Sequence, residues 1–174
     1  MCIRDRWYVE HLEKLNEGVI LDLGSGIIPD LEFYEKILSK NDRIMFICLE
    51  PFKLAIKIAD EKIRIRKGIA QVCGFGEDAP FRKKVFDVVF MRSSYAHFFD
   101  LERVLKNIHR TLKNDGRLVI FEEHAPLVDK SELWVKHYRD HTLKEAISEI
   151  ERHGFEVIDT LKKRESWGIL AVKD

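Results

Sequence analysis

Two closely spaced glycines mark the first stretch of this chain that could do chemistry. Val19–Leu23 is an apolar run typical of a buried strand, and Gly24 and Gly26 follow it directly. Pro29 suits the first turn of the amphipathic helix that we predict next, because the missing N–H of proline is not needed there. Glycines let the backbone approach a ligand closely, and a helix N-terminus offers free amides. The stretch therefore predicts a cofactor site at the carboxyl end of a first parallel strand.

Polar side chains also follow two later runs that we predict as strands four and five. The groups are Arg92, Ser93, Ser94, Tyr95 and His97 after the fourth strand, and Glu122, Glu123 and His124 after the fifth. Histidine titrates near neutral pH and is suited to proton transfer. We therefore expect a substrate to enter over the carboxyl ends of these two strands.

The elements that position these groups alternate between strand and helix patterns. Runs typical of buried parallel strands are Arg43–Leu49 (closed by Glu50), Ile69–Phe75, Phe86–Met91 and Arg117–Glu122. A helix is predicted from Pro51, with Leu54, Ala55, Ile58 and Ala59 facing inward, and another over Leu101–Leu112. A turn is predicted at Lys113–Gly116. The alternation indicates an α/β fold with a doubly wound, parallel sheet.

The end of the sequence departs from this alternation. Thr142–Glu145 has the capping-box pattern that starts a helix, and Gly154 is placed to end it. Two strand-like runs follow, Phe155–Leu161 and Trp167–Val172. The link between them is too short for a helical crossover, so we predict that these strands are antiparallel.

Length and composition favour one globular domain. The chain has 174 residues, of which 45% are hydrophobic, and its 30 Lys and Arg balance 30 Asp and Glu. Zero net charge argues against a large nucleic-acid footprint, and we see no membrane-spanning run or secretory signal. We interpret Cys48 and Cys73 as reduced core thiols of a cytoplasmic protein.

The first six residues are treated apart from the domain. The hexapeptide Met-Cys-Ile-Arg-Asp-Arg resembles the translation of a transposon-end adapter used in DNA library preparation. We therefore interpret residues 1–6 as a scar and place the single domain at 7–174. A genuine N-terminal arm is the alternative.

The order of these blocks resembles the class I S-adenosylmethionine-dependent methyltransferases over nearly all of Val19–Val172. Val19–Gly26 is similar to the family's first motif, Glu50 to the acidic residue that closes its second strand, and Gly74–Phe81 to its third-strand motif. Arg110–Ile120 resembles its helix-turn-strand element before strand five. The resemblance implies a Rossmann-like, mostly parallel seven-stranded sheet with a C-terminal antiparallel pair.

The resemblance also implies a set of cofactor-binding residues. Glu50 would accept from the two ribose hydroxyls, and Phe52 would lie against the adenine face. Alternatively, the glycines serve only a tight turn and Glu50 only caps the next helix. The residues implied for S-adenosylmethionine are Asp22, Gly24, Ser25, Gly26, Glu50, Pro51, Phe52, Gly76, Glu77, Arg92 and Ser93.

Two positions depart from the family pattern. Ile28 stands where a third glycine is usual, so its side chain must pack against either the sheet or the cofactor. Phe75 stands where an acidic residue often binds the adenine amino group. Glu77, Asp78 or a backbone carbonyl would have to replace that contact, or packing would hold the adenine.

Methyl transfer from this cofactor is an in-line displacement, and much of its catalysis can come from alignment of the two reactants. For an oxygen or nitrogen acceptor we predict His124 as first candidate base and His97 as second, with solvated or capping roles as the alternative. His137 and His141 would face one side of a helix, but no metal-ligand motif fits and we predict no metal. Trp134 and Tyr138 belong to a segment that could cover the substrate.

Three functions compete on this sequence. The first is methyl transfer to a small-molecule acceptor, by a monomer or homodimer. The second is a non-catalytic cofactor-binding or scaffold protein, which Ile28 and Phe75 favour. The third is a nicotinamide-dependent oxidoreductase, although Pro29 stands at the sixth position of the Gly-x-Gly-x-x-Gly pattern that such an enzyme would show.

Overall fold

The computed structural model describes residues 6–29, 31–123, 141–164 and 166–174. Its strands are β1 Gly18–Leu23, β2 Ile44–Glu50, β3 Ile69–Cys73, β4 Phe86–Arg92, β5 Leu112–Glu123, β6 Phe155–Lys162 and β7 Ser166–Lys173. Its helices are α1 Arg6–Leu12, α2 Leu31–Lys40, α3 Lys53–Ile63, α4 Leu101–Thr111 and α5 Leu143–Glu151. The predicted scar, residues 1–6, lies outside this description except for Arg6.

The described strands form a seven-stranded sheet in the order β3-β2-β1-β4-β5-β7-β6. Parallel pairing joins β1 to β2 and β4, β2 to β3, and β4 to β5. Antiparallel pairing joins β7 to both β5 and β6. The predicted doubly wound sheet with a C-terminal antiparallel pair is therefore confirmed. The strand order reverses between β1 and β4, which is where open α/β sheets bind ligands.

Apolar residues on both faces of the central strands explain why helices cover both sides. Leu21 and Leu23 of β1 belong to the cluster packed with α4 and α5. Ile20, on the opposite face, belongs to the cluster packed with α1, α2 and α3. Burial of each such aliphatic or aromatic side chain stabilises the folded state by about 1.5–3 kcal/mol. These two packed layers therefore fix the positions of the strand ends.

The prediction of a turn at Lys113–Gly116 is wrong, because these residues form a bulge inside β5. Phe86 pairs with Leu112, and the next pair joins Val88 to Arg117, so extra residues of β5 are looped out. Asp115 takes up the distortion with φ of 59°. A bulge and a turn use the same Asn-Asp-Gly chemistry, which the sequence pattern does not distinguish.

Two burial predictions are also wrong. Leu54, expected to face inward, is 60% exposed, because the face that α3 buries is formed by Ala55, Ala59 and Ile63. Cys73, expected in the core, is exposed at the end of the edge strand β3, whereas Cys48 is buried as expected.

The predicted start and end of the C-terminal helix α5 are confirmed. Thr142 and Glu145 form both bonds of the capping box at the start of α5. Gly154 has φ of 80° just after that helix, a conformation that glycine adopts without strain. Within the described ranges, no helix has the length and apolar character needed to cross a membrane.

Candidate cofactor site

The glycine loop after β1 is shaped by two different requirements. Gly24 has φ of 80°, and a Cβ there would lie 2.6 Å from the Cβ of Ser94, so a side chain has no room. Gly26 has φ of 55°, and a Cβ there would meet nothing within 4 Å. Gly24 is thus required by protein packing, whereas Gly26 faces open space where a ligand can approach.

Glu50 ties this loop to the end of β2. Its carboxylate is buried and accepts from the Gly26 N–H (2.9 Å to Oε2) and the Phe52 N–H (3.0 Å to Oε1). The alternative role as a local cap is therefore real, because Phe52 is the N-cap residue of α3. Each carboxylate oxygen has a second lone pair, so Glu50 can also accept from ligand hydroxyls.

Asp22 places a second buried carboxylate on the other side of the loop. It is 4% exposed, and the Tyr34 hydroxyl donates to its Oδ2. Burial raises the pKa of Asp22 to about 7, against the lowering effect of the Tyr34 hydrogen bond and the Arg92 charge. The neighbouring Ser25 Oγ is buried and has no hydrogen-bond partner among the described residues.

Two cavities adjoin at the glycine loop, where Gly24, Gly26, Ile27 and Ser93 line both. The charged cavity, about 340 Å³, also contains Asp22, Ser25, Tyr34 and Arg92. The aromatic cavity, about 370 Å³, also contains Glu50, Pro51, Phe52, Phe75, Gly76, Glu77, His97, Phe98 and Phe99. Every predicted cofactor-binding residue lines at least one of the two cavities, while contact with the cofactor stays a prediction.

Ile28 stands where the family usually has a third glycine, and the structure shows where its side chain packs. Its φ is 50°, unusual for a β-branched residue, and its side chain is fully buried in the cluster beneath α2 and α3. Lys62 Nζ donates to the neighbouring Ile27 carbonyl at 2.8 Å. The side chain therefore packs into the core, and the strained backbone is held by its surroundings.

Glu77 holds the start of α4. It is 2% exposed, and its Oε1 accepts from the N–H groups of Phe99 (3.1 Å) and Asp100 (3.4 Å). Asp78 is exposed, pairs with Arg103 and does not line the aromatic cavity. Both acids thus have partners in the protein itself.

His97 lies in the short 3₁₀ turn Tyr95–His97 that follows β4, is half-buried, and lines the aromatic cavity. The backbone N–H of His97 donates to the Ser94 carbonyl at 3.0 Å, and this bond fixes the turn. His124, the first candidate base, lies outside the described residues, as do Trp134, His137 and Tyr138. The described ranges contain no group of three or more potential metal ligands, and the His137–His141 pair cannot be judged from them.

A family comparison decides what kind of domain this is. Residues 21–120, more than half of the chain, match the sequence model of a family described as a methyltransferase domain. The chain belongs to the class I S-adenosylmethionine-dependent methyltransferases. S-adenosylmethionine is the cofactor of this family, and the match decides against the oxidoreductase.

Individual relatives agree with this assignment. The chain is 30% identical over 113 residues to the ubiquinone/menaquinone biosynthesis C-methyltransferase UbiE of Wigglesworthia glossinidia brevipalpis, a match that covers 63% of the chain and 44% of that protein. The chain thus spans less than half of that relative. An S-adenosylmethionine-dependent methyltransferase from Aquifex aeolicus superimposes with a TM-score of 0.78 at 17% identity, over 99% of this chain and 90% of that one.

A further structural neighbour is named for a different reaction. The [4+2]-cyclase SpnF superimposes with a TM-score of 0.76 at 15% identity, over 96% of this chain and 80% of that chain. At such identity the likeness shows the fold alone, and a fold by itself does not determine the reaction.

The residues of the methyltransferase site fit the cofactor. The charged cavity offers the Asp22 carboxylate and the Arg92 guanidinium, which complement the ammonium and carboxylate of a methionine end. The Ser25 Oγ, which has no hydrogen-bond partner within the described ranges, belongs to the same cavity. The aromatic cavity offers Glu50 for ribose hydroxyls and Phe52 and Phe75 for a flat base.

Tyr34 was missed as a functional group by sequence reasoning, and Glu122, predicted only as a polar residue after the fifth strand, has a supporting role outside both cavities. Tyr34 reads only as one apolar position of α2, yet its hydroxyl is the partner of Asp22. Glu122 is 5% exposed and accepts from the Tyr95 N–H at 3.2 Å, so it supports the turn that carries His97. Burial raises the pKa of Glu122 to about 8, although the amides of Tyr95 and Ala96 oppose the shift.

Proposed function

We propose that this methyltransferase domain transfers the methyl group of S-adenosylmethionine to a small-molecule acceptor. The observation that carries the proposal is the pairing of two unlike cavities across one glycine loop. One cavity contains a carboxylate and a guanidinium, and the other contains aromatic side chains beside Glu50. This arrangement complements a molecule with a zwitterionic end and an aromatic end.

The chain's own residues would act mainly by alignment. When bound, the cofactor supplies an electrophilic methyl group on a sulfonium. Asp22 and Arg92 would hold its amino-acid end, and Glu50 its ribose, so that the methyl position is fixed. Ser93, at φ of 49° directly after β4, lines both cavities and stands where they meet. An acceptor approaching over β4 and β5 would reach this point.

His97 is the described residue best placed to accept a proton from the acceptor. It lines the aromatic cavity on the β4 side, and its turn is fixed by Ser94 and by Glu122. An oxygen or nitrogen acceptor loses a proton as the new bond to carbon forms, and an imidazole can take it up. His124 remains the other candidate.

A small-molecule acceptor is supported by charge and by relatives. The chain carries no net charge, which disfavours a polyanionic substrate such as a nucleic acid. The Wigglesworthia glossinidia brevipalpis relative is named for ubiquinone and menaquinone biosynthesis, and its acceptor is therefore a small molecule. We propose the same broad class here, without extending that relative's substrate to this chain.

A cofactor-binding protein without methyl transfer is the second candidate. Phe75 favours it, because the site lacks the acidic residue expected there, and the cyclase neighbour shows that this fold carries other reactions. The two functions share the cofactor site and differ in turnover.

The test begins with calorimetric titration of the full 174-residue chain with S-adenosylmethionine, S-adenosylhomocysteine and NAD. We expect micromolar binding of the first two and none of NAD. Incubation with methyl-labelled cofactor and a panel of small aromatic and amine acceptors should then yield labelled product. Binding without transfer to any acceptor would favour the second candidate, and absence of binding would contradict both.

A further inference from the structure

Two exposed phenylalanines frame the aromatic cavity because of strand register. Glu50 of β2 is paired with Cys73 of β3, and Phe52 and Phe75 each stand two residues beyond this pair. The Cys73 Sγ donates to the Pro51 carbonyl at 3.8 Å, a weak link between the two strand ends. Both aromatic side chains are 53% exposed and line the same cavity. Such exposure of paired aromatic rings at a cavity suits a flat ligand.

Both carboxylates of this cavity already accept hydrogen bonds from backbone amides. Among the described residues that line it, the acids are Glu50 and Glu77. Glu50 accepts from amides of the glycine loop and of Phe52, on the ribose side. Glu77 accepts from the amides of Phe99 and Asp100 at the start of α4.

The remaining acid near the third-strand motif is also committed. Asp78 pairs with Arg103 and lines a separate cleft with Lys106 and Arg110. Each of these three acids is therefore already bound to protein groups, and an aromatic ring occupies position 75 just beyond the end of β3. The side chains at positions 52 and 75 offer an exocyclic amino group no hydrogen-bond acceptor.

We propose that this site holds the purine of the cofactor by its faces and does not recognise the 6-amino group. The inference rests on the proposed function, because it concerns the same cofactor. Stacking on aromatic rings tolerates changes at the ring edge, since every purine presents a π face. A site built to hydrogen-bond an amino group would instead reject an analogue that lacks it. The chain should therefore accept S-adenosylhomocysteine analogues altered at purine position 6.

The test compares two ligands by calorimetry on the full chain. The ligands are S-adenosylhomocysteine and its 6-deamino analogue, which carries purine in place of adenine and keeps the N1 acceptor. We expect dissociation constants within about threefold of each other, as for contacts that ignore the amino group. A preference of about tenfold or more for the amino compound, the size expected of a hydrogen bond to a carboxylate, would overturn the inference.

An acidic residue at position 75 should make the site recognise the 6-amino group. Phe75→Asp supplies a carboxylate at the cavity edge and should create a preference of about tenfold for S-adenosylhomocysteine over the deamino analogue. Phe99→Asp is the matched control, because Phe99 is 56% exposed at the same cavity but lies on the α4 side. It should create no such preference. An equal gain in both variants, or none in Phe75→Asp, would overturn the assignment to Phe75.

The proposed function and this inference fail in distinguishable ways. If the native chain binds neither ligand, both are overturned. If it binds S-adenosylhomocysteine but rejects the deamino analogue, the proposed function stands and only the inference is overturned. Phe75→Leu provides a further readout, since loss of one aromatic face should weaken both ligands by the same factor.

Discussion

The charged and aromatic cavities share one glycine loop, yet they would recognise a ligand by different physics. The charged cavity relies on Asp22, which is buried, hydrogen-bonded to Tyr34 and shifted to a pKa of about 7. The aromatic cavity relies on ring faces, whose contacts do not titrate. The comparison teaches that one half of the cofactor site should respond to pH while the other half should not.

The largest effect is expected from Glu50→Ala, which breaks the frame between the two cavities. The substitution removes the acceptor of the Gly26 and Phe52 amides and the proposed partner of the ribose. The variant loses two hydrogen bonds to the Glu50 carboxylate, so affinity for S-adenosylhomocysteine should fall about 100-fold. Calorimetry measures it, with Glu50→Gln as the milder control. Unchanged affinity would remove Glu50 from the site.

Glu122 provides a pH effect on stability outside both cavities. Its folded pKa, about 8, lies above its ordinary value of 4.5, so the folded state binds the proton more tightly. The stabilisation is complete below pH 4.5 and is lost as pH rises towards 8. Glu122→Gln should remove this dependence, which amounts to roughly 3–4 kcal/mol of unfolding free energy between pH 5 and 8.

Denaturant unfolding at pH 5, 6.5 and 8 tests this prediction. The native chain should lose more unfolding free energy over that range than the Gln variant, which keeps an acceptor for the Tyr95 amide. Identical pH profiles for the two proteins would show that Glu122 ionises normally.

Asp22 should make cofactor binding depend on pH. Because its pKa is raised to about 7, the carboxylate is mostly neutral at pH 6 and must lose its proton to pair with an ammonium. Affinity for S-adenosylhomocysteine should therefore rise about 20-fold between pH 5.5 and 7.5. Asp22→Asn should bind weakly and without this dependence. A native affinity that is flat across this range would contradict the proposed pairing.

Tyr34→Phe should give the smallest effect and sharpen the same contrast. The Tyr34 hydroxyl stabilises the charged form of Asp22, so its loss should move the pH midpoint of binding upward by about one unit or less. Contacts in the aromatic cavity are untouched. Titrations at four or more pH values locate the midpoint, and a downward shift would contradict this role for Tyr34.

The sequence predicted the sheet, and the residues it predicted for the cofactor line the two cavities, because both depend on local pattern and chain order. Strand ends are fixed by apolar runs, and the loops that follow them meet at one edge of a parallel sheet. That is why Asp22, Glu50 and Glu77, distant in sequence, line adjoining cavities.

What the sequence did not predict depends on contacts between distant elements. The apolar spacing in α3 fits a buried face with Leu54 as well as one with Ala55 and Ala59, and tertiary packing buries the second. Cys73 is exposed because β3 is an edge strand, which follows from strand order and not from its own residues. The partner of Asp22 and the burial of Glu122 likewise arise only in three dimensions.

The position of β7 has a consequence for the order in which the chain can fold. β7 lies between β5 and β6, so β6 has no place in the sheet until the strand that follows it has been inserted. During synthesis the edge of β5 therefore stays unpaired after β6 has left the ribosome and until β7 follows. An unpaired strand edge is a template for mispairing. A truncation that removes Ser166–Lys173 would cost the sheet two strands instead of one.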